Sequence, residues 1–316
     1  MIKKCKKAIK ISIVISVYNG SKYLCQQMDS IRKQTLEPDE VLLYDDGSTD
    51  NSVDVIKDYI RKYNLGQKWH LYLNSKNKGW RKNFRDGILS AHGEYIFTCD
   101  QDDIWMTNKI NKMCKTMEKY TQIDLLASEY INFTDSINET ELKSKIVENI
   151  SWIKWSRKFM KVLFPGCTFC IRNTFVKRIK KYWKSEYAHD AFLWRMALCE
   201  DALAVYNSPL IAWRKYSQSS NSKEKQNDKY ELSSRLRGIE ASIDMDNGMI
   251  QFIEDDLNEN KKISDLSKNK EMLDSRKRML LHPSLKNLII SIHFLNFYTY
   301  KKEFLRDCYI AYGFWK

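Results

Sequence analysis

Asp100, Asp102 and Asp103 crowd together directly after the apolar run 95–99, in the stretch YIFTCDQDDIW. Three carboxylates this close repel one another, so a basic side chain, a divalent cation or water must compensate them. Asp100 and Asp102 flank Gln101 and offer hard oxygen ligands of the kind that Mg²⁺ or Mn²⁺ takes, with substrate phosphates completing the octahedron. Such an ion would offset the carboxylates and, as a Lewis acid, stabilise charge on a departing phosphate. A short acidic loop without metal has the same composition, and Asp103 also suits the cap of the helix that follows.

The elements that must position these acids repeat a simple pattern. ISIVISVYNG is a β-branched run that stops at Asn-Gly, a buried strand ending in a turn. SKYLCQQMDSIRKQT then carries apolar residues at helical spacing. The pattern recurs: strand VLLYD and helix VDVIKDYIRKY, strand WHLYLN and helix WRKNFRDGILSAH, strand EYIFTCD and helix NKINKMCKTMEKY. This alternation predicts an α/β fold with a mostly parallel central sheet and helices on both faces. Right-handed crossovers align the strand ends, and ligands bind at the carboxyl ends. Tyr18, Asn19, Asp45, Asp46, Asn74, Asp100 and Asp102 all follow a strand end and are expected on one rim.

Further along, IDLLASEYINFT reads as a strand, and residues 135–158 are polar and irregular apart from Trp152 and Trp155. FPGCTFCIRNTFVKRI reads as turn, strand and helix, and AHDAFLWRMALCE as a helix opening at His189-Asp190. ALAVYNSPLIAWRKY is a strand pair, or one strand bent around Pro209. At the helix start, Asp190 suits an N-cap, and His189 suits either packing or substrate orientation.

Composition bounds the function. A chain of 316 residues with 43% hydrophobic residues buries a substantial core, and 10 Gly with 4 Pro exclude collagen-like or loop-dominated chains. The 53 Lys and Arg against 40 Asp and Glu, formally +13, suit an anionic partner: nucleic acid, an anionic membrane face or a phosphorylated substrate. Cys167 and Cys170 form one CxxC with no second pair to complete a zinc site, so small buried thiols are expected. The basic N-terminus leads into a short run that reads as a strand rather than a signal peptide or a spanning helix, so a reducing, cytoplasmic location is the expectation.

At this level of detail a resemblance becomes specific. SVYNG, LLYDDGSTDNS, NKGWRKNFRDGI and CDQDDIW resemble the inverting family-2 glycosyltransferases of the GT-A fold. Bacterial rhamnosyltransferase-like enzymes of capsule and lipopolysaccharide assembly, with their DQDDxW motif, are the most similar subset. FPGCTF, HDAFLW and AWRKYSQSSN follow in the family's order, so the resemblance runs from Ile11 to Asn221. It implies a catalytic domain over 1–221 and a helical extension over 222–316.

The resemblance also implies roles. Val17 and Tyr18, with Asn19 beside them, would flank the base of a UDP-, dTDP- or GDP-sugar, and Asp46 or Asp45 would accept a hydrogen bond from it. Asp100 would face the ribose with Gln101 next to it, and Asp102 would hold Mn²⁺ or Mg²⁺. Gly79 and Asn83 would lie along the donor, with Lys78 and Arg81 near phosphate, and Arg214 would contact phosphate or form a surface salt bridge. Asp190 matches the general base, which takes the proton of a glycan or lipid-linked acceptor hydroxyl. Tyr216 stands where relatives often carry a histidine.

The tail, 281–316, mixes aromatic and basic residues, which suits a membrane interface and equally a packed helix or a homodimer contact. A nucleotidyltransferase shares the paired carboxylates but brings a Gly-rich phosphate loop, which SVYNGSKYL is not. A nucleic-acid-binding protein would concentrate its basic residues in a recognised module, and here they are spread through the chain.

Overall fold

The computed structural model describes residues 10–134, 149–156, 158–215, 231–257 and 259–313. Tyr216 and the end of the aromatic tail, residues 314–316, lie outside the described residues. The chain divides into two units: Met1–Ile153, Leu163–Ala197 and Ala202–Lys215 form one, and Lys154–Val162, Leu198–Asp201 and Tyr216–Lys316 the other.

The first unit opens with the alternation that the sequence predicts. Strand β1 (Ile11–Val17) leads to α1 (Leu24–Arg32), β2 (Glu40–Asp45), α2 (Ser52–Lys62), β3 (Trp69–Leu73), α3 (Trp80–Ser90) and β4 (Tyr95–Asp100). Three short crossovers place β3, β2, β1 and β4 side by side, all parallel. β1 is buried almost throughout, as a central strand covered on both faces must be.

Beyond β4 the sheet is mixed, which modifies the mostly parallel expectation. β5 (Ile104–Trp105), α4 (Lys109–Lys119), β6 (Leu125–Phe133), β7 (Ile150–Trp152), β8 (Cys170–Arg172), α5 (Asn173–Ile179), α6 (His189–Cys199) and β9 (Leu203–Arg214) follow. The order is β3-β2-β1-β4-β8-β6-β9-β5, with β7 also on β9. β8 runs antiparallel to both β4 and β6, while β6 and β9 are parallel. ALAVYNSPLIAWR is one strand, with register shifts opposite Glu129 where Pro209 lies. Proline lacks the N–H that a regular ladder needs, so an irregularity there is expected.

The second unit is helical: α7 (Leu232–Asp256), α8 (Asn260–Leu281), α9 (Leu285–His293) and α10 (Lys301–Tyr312). Ile239, Met272, Leu273, Leu280 and Tyr298 form its core. Asp307, fully buried on α10, accepts from Arg276 Nε at 2.8 Å and also pairs with Arg235, which satisfies a charge that would otherwise be costly to bury. Among the described residues no helix is long and apolar enough to cross a membrane.

Candidate active site

Strand register brings the polar residues to one rim. Ser16 is paired with Asp100 and Val17 with Asp45, so β1, β2 and β4 end level with one another. Val17 is fully buried in the core, so any contact it makes with a base runs through its main chain. Tyr18, the next residue, is exposed.

Two clasps shape the loops over this edge. Asn19 adopts φ 49°, and its Oδ1 accepts the Thr49 N–H at 2.8 Å, while its own N–H donates to Ser48 Oγ at 2.9 Å. Asn tolerates this left-handed conformation better than most residues. Gln101 closes the second clasp: its Oε1 accepts the Tyr18 N–H at 2.8 Å and its Nε2 donates to the Tyr18 carbonyl at 3.0 Å. A Cβ on Gly20 would lie 2.3 Å from Gln101 Oε1, so the clasp requires glycine there.

Asp45 and Asp46 do different things. Asp45 Oδ1 accepts the N–H groups of Gly47 (3.1 Å) and Ser48 (3.0 Å), while its buried Oδ2 has no hydrogen-bond partner among the described residues. Asp46 accepts from Lys78 N–H, Gly79 N–H (each 2.8 Å) and Asn74 Nδ2 (3.0 Å), which holds the loop before α3. Asn83, also buried, accepts from Asn74 Nδ2 and donates to Ser16 Oγ and the Tyr44 carbonyl. Gly79 has φ 88°, a conformation open to glycine and strained for other residues.

The acidic cluster lies where β4 gives way to β5. Asp100 and Asp102 are half-buried and Asp103 fully so. Burial first, then the Asp102 charge, push the Asp100 carboxyl up to about 7, with Asp190 adding to the rise. Burial and both neighbouring acids raise Asp103 as well. Asp103 is not a helix cap: α4 begins later, behind Asn108, and Asp103 Oδ1 instead accepts the Arg214 N–H at 3.1 Å. The cause is the short strand β5, which inserts between the acids and the helix and pairs with β9.

Arg214 is built into this turn. Its Nε donates to the Asp102 carbonyl (2.9 Å), Nη1 to the Thr134 carbonyl (2.9 Å) and Nη2 to Gln26 Oε1 (2.8 Å). The guanidinium lies between the rings of Tyr23 and Phe133, at 4.2 and 4.3 Å. The surface salt bridge considered for it is therefore corrected: Arg214 is buried and fastens the acidic turn.

Behind the acids sit two residues that sequence reasoning did not assign. Cys167 Sγ lies within 4.8 Å of carboxylate oxygens of Asp100 and Asp103. Lys109 is buried, with Nζ 3.4 Å from the Cys167 carbonyl, and burial lowers its ammonium to about 8. FPGCTF stood out as a motif, but nothing local linked its cysteine to the acids. The CxxC thiols are buried and free, as expected.

Asp190 lies in the first turn of α6, half-buried, with Oδ1 accepting the Ala191 N–H at 2.7 Å. His189 is buried, stacked on Phe84 at 4.0 Å and edge-on to Trp80 at 6.1 Å, so it packs. Burial lowers its imidazole to about 4.

The donor set fits a divalent cation. Its ligand atoms, carboxylate oxygens of Asp100 and Asp103 and the Cys167 Sγ, lie within 4.8 Å of one another, and Asp102, the ligand expected from the sequence, is not part of that group.

Comparison with known proteins bears on the family and the fold. GlyG, a glycosyltransferase of Streptococcus pneumoniae, is 35% identical over 127 residues, 40% of this chain and 40% of its own length. The chain thus spans less than half of GlyG. RT0329, an uncharacterized glycosyltransferase of Rickettsia typhi, is 27% identical over 235 residues, 70% of this chain and 69% of its own. TarS 1-349 of S. aureus in complex with UDP-GlcNAc superposes with TM-score 0.60 at 19% identity, over 95% of this chain and 81% of that one. The mannosyltransferase PcManGT of Pyrobaculum calidifontis, in complex with GDP-Man and Mn²⁺, superposes with TM-score 0.52 at 12% identity, over 96% and 86%. The sequence matches the Glycosyl transferase family 2 description over residues 12–185, from β1 through the acidic rim and ending short of Asp190. A match of that extent, on a sheet of this topology, makes the chain a member of glycosyltransferase family 2 with the GT-A fold.

Proposed function

We propose that this protein transfers a sugar from a nucleotide-diphosphate donor to a glycan hydroxyl, with inversion at the anomeric carbon. The observation that carries this reading is geometric: β1, β2 and β4 end level, with Asp45 and Asp100 at that edge, and His189, next to Asp190, stacks on Phe84, next to Asn83 of the same rim. A candidate base and the acid pair thus share one rim.

The donor lies across the ends of β1, β2 and β4. Of the two acids, Asp45 is the candidate acceptor from the base, because Asp46 already holds the 78–79 backbone with both oxygens. Tyr18, steadied by Gln101, offers a ring to the base. Asp100 faces the ribose, and Gly79 and Asn83 shape the loop along the donor. Arg214 acts by holding the turn of Asp102. A bound Mn²⁺ or Mg²⁺, held by Asp102, would supply positive charge to the departing diphosphate. Asp190 uses one oxygen on its own helix start and keeps the other for the acceptor proton. The acceptor oxygen bonds to the anomeric carbon as the carbon–oxygen bond to diphosphate breaks, the proton passes to Asp190, and the electron pair leaves with the nucleoside diphosphate. A carboxylate in this role contributes typically about 10²–10⁴-fold.

The structural neighbours' complexes with UDP-GlcNAc and GDP-Man support a UDP- or GDP-linked donor as first choice, with dTDP-sugars the third class to test. The DQDDxW motif favours a hexosyl or rhamnosyl transfer onto a lipid-linked glycan at the cytoplasmic face, in assembly of a bacterial surface polysaccharide. Residues 1–221 would carry this chemistry, with 222–316, helical over its described residues, as the extension; segments 154–162 and 198–201 group with that extension rather than with the catalytic unit.

Calorimetric titration with UDP and Mn²⁺, alongside a transfer assay over UDP-, dTDP- and GDP-sugars, tests the reading. Asp102→Ala should lose metal-dependent nucleotide binding. Asp190→Ala should bind nucleotide normally and lose transfer. Unchanged metal dependence in Asp102→Ala, or full transfer by Asp190→Ala, would falsify the assignment.

A further inference from the structure

The α9–α10 hairpin of the second unit is anchored on its inner side. Ser291 Oγ donates to the Ser275 carbonyl of α8, and Asp307 is clamped between Arg235 and Arg276. Tyr312 OH donates to the Ser284 carbonyl at 2.8 Å and accepts the Ser284 N–H at 3.2 Å, which ties the end of α10 to the start of α9. The helices therefore run antiparallel, with residues 294–300 connecting them.

The hairpin also carries apolar side chains that are left in water. Leu285, Ile289 and Ile292, spaced i, i+4, i+7 along one face of α9, are 73%, 59% and 45% exposed, and Leu305 on α10 is 62% exposed. At the connection lies a cleft of about 590 Å³ lined by Lys158, Leu295, Tyr298, Tyr300, Lys301 and Lys302. Lys161 and Lys302 place their ammonium groups over the Tyr300 ring, at 5.8 and 5.2 Å. Among the described residues, Lys158, Lys161, Lys301 and Lys302 make no ion pair with a carboxylate. Four like charges around one cleft favour an anionic occupant.

We propose that this hairpin docks on an anionic phospholipid surface, seating headgroup phosphate in the lysine cleft and the exposed leucine and isoleucine side chains at the acyl boundary. A small soluble anion would satisfy the lysines and leave the apolar side chains in water. A second copy of the chain would cover those side chains but would not by itself bring an anion to the lysines. An anionic bilayer matches both features, and Tyr300 at the cleft has the amphipathic ring that membrane–water interfaces favour. The proposal stands independently of the sugar-transfer reading.

Co-sedimentation of the full chain with phosphatidylglycerol-containing vesicles and with pure phosphatidylcholine vesicles tests it without using activity. Binding should require phosphatidylglycerol and weaken with salt. Lys301→Glu with Lys302→Glu, and separately Leu285→Ser with Ile289→Ser, should each reduce binding by about tenfold or more. All four positions are exposed, so thermal midpoints should not move. The proposal is overturned by equal binding to both vesicle types, by either double variant binding like the parent, or by binding of inorganic phosphate without vesicles. A concentration-dependent dimer lost in Leu285→Ser would overturn it too, in favour of a second copy.

Discussion

Arg214 Nε donates to the main-chain carbonyl of Asp102 at 2.9 Å, so the last residue of β9 holds the turn that presents the acidic pair. The same guanidinium reaches Thr134 and Gln26, three partners in three directions. Lysine keeps the charge but cannot reproduce a planar fork. Arg214→Lys should therefore destabilise the fold by roughly 2–4 kcal/mol, about as much as Arg214→Met. Denaturant unfolding checks this, and a Lys variant as stable as the parent would show that charge alone suffices.

Asp46 is engaged without any ligand. Its oxygens take the Lys78 and Gly79 N–H groups and the Asn74 amide. Asp46→Asn replaces an acceptor oxygen by a donor facing one of those groups, which should cost roughly 1–3 kcal/mol in nucleotide-free protein. If Asp46 served only to bind a base, that protein would melt unchanged and only nucleotide affinity would fall.

These two residues show what the sequence could and could not say. The strand-end rule put Asp45, Asp46, Asp100 and Asp102 on one rim because β-branched runs and helical spacing are local signals. Whether a carboxylate there faces a ligand or a backbone N–H is a long-range matter: Asp46 meets Gly79 across 33 residues and Arg214 meets Asp102 across 112. β5, with two residues, and β7, with three, are too short to show a period. The antiparallel direction of β8 is set by which neighbours it joins, and nothing in CIR encodes that.

Gly20 and Gln101 should behave as one unit. The Cβ of Gly20→Ala would meet the far end of the Gln101 side chain, which can swing away, so stability should change by less than about 1 kcal/mol. The displaced amide would release Tyr18, and nucleotide affinity should fall by about tenfold. Gln101→Ala should do the same, and the double variant should be no worse than either alone. Additive losses in nucleotide titrations would mean that the two positions act separately.

His189 predicts an acid limb in stability. Its imidazole is buried against Phe84 with both ring nitrogens lacking a hydrogen-bond partner among the described residues, and burial lowers it from 6.5 to about 4, against a smaller opposing pull from Asp190. Between those values the unfolded chain binds a proton that the folded chain refuses. Stability is therefore full above about pH 6.5 and falls as pH drops towards 4, by about 1.4 kcal/mol per unit and roughly 3 kcal/mol in all. His189→Gln has no proton to take up and should flatten that limb while leaving the contribution of the acidic cluster in place. Parallel chemical denaturation of the two proteins between those pH values isolates the difference. Identical slopes would mean that His189 titrates in the folded protein as it does in the unfolded chain.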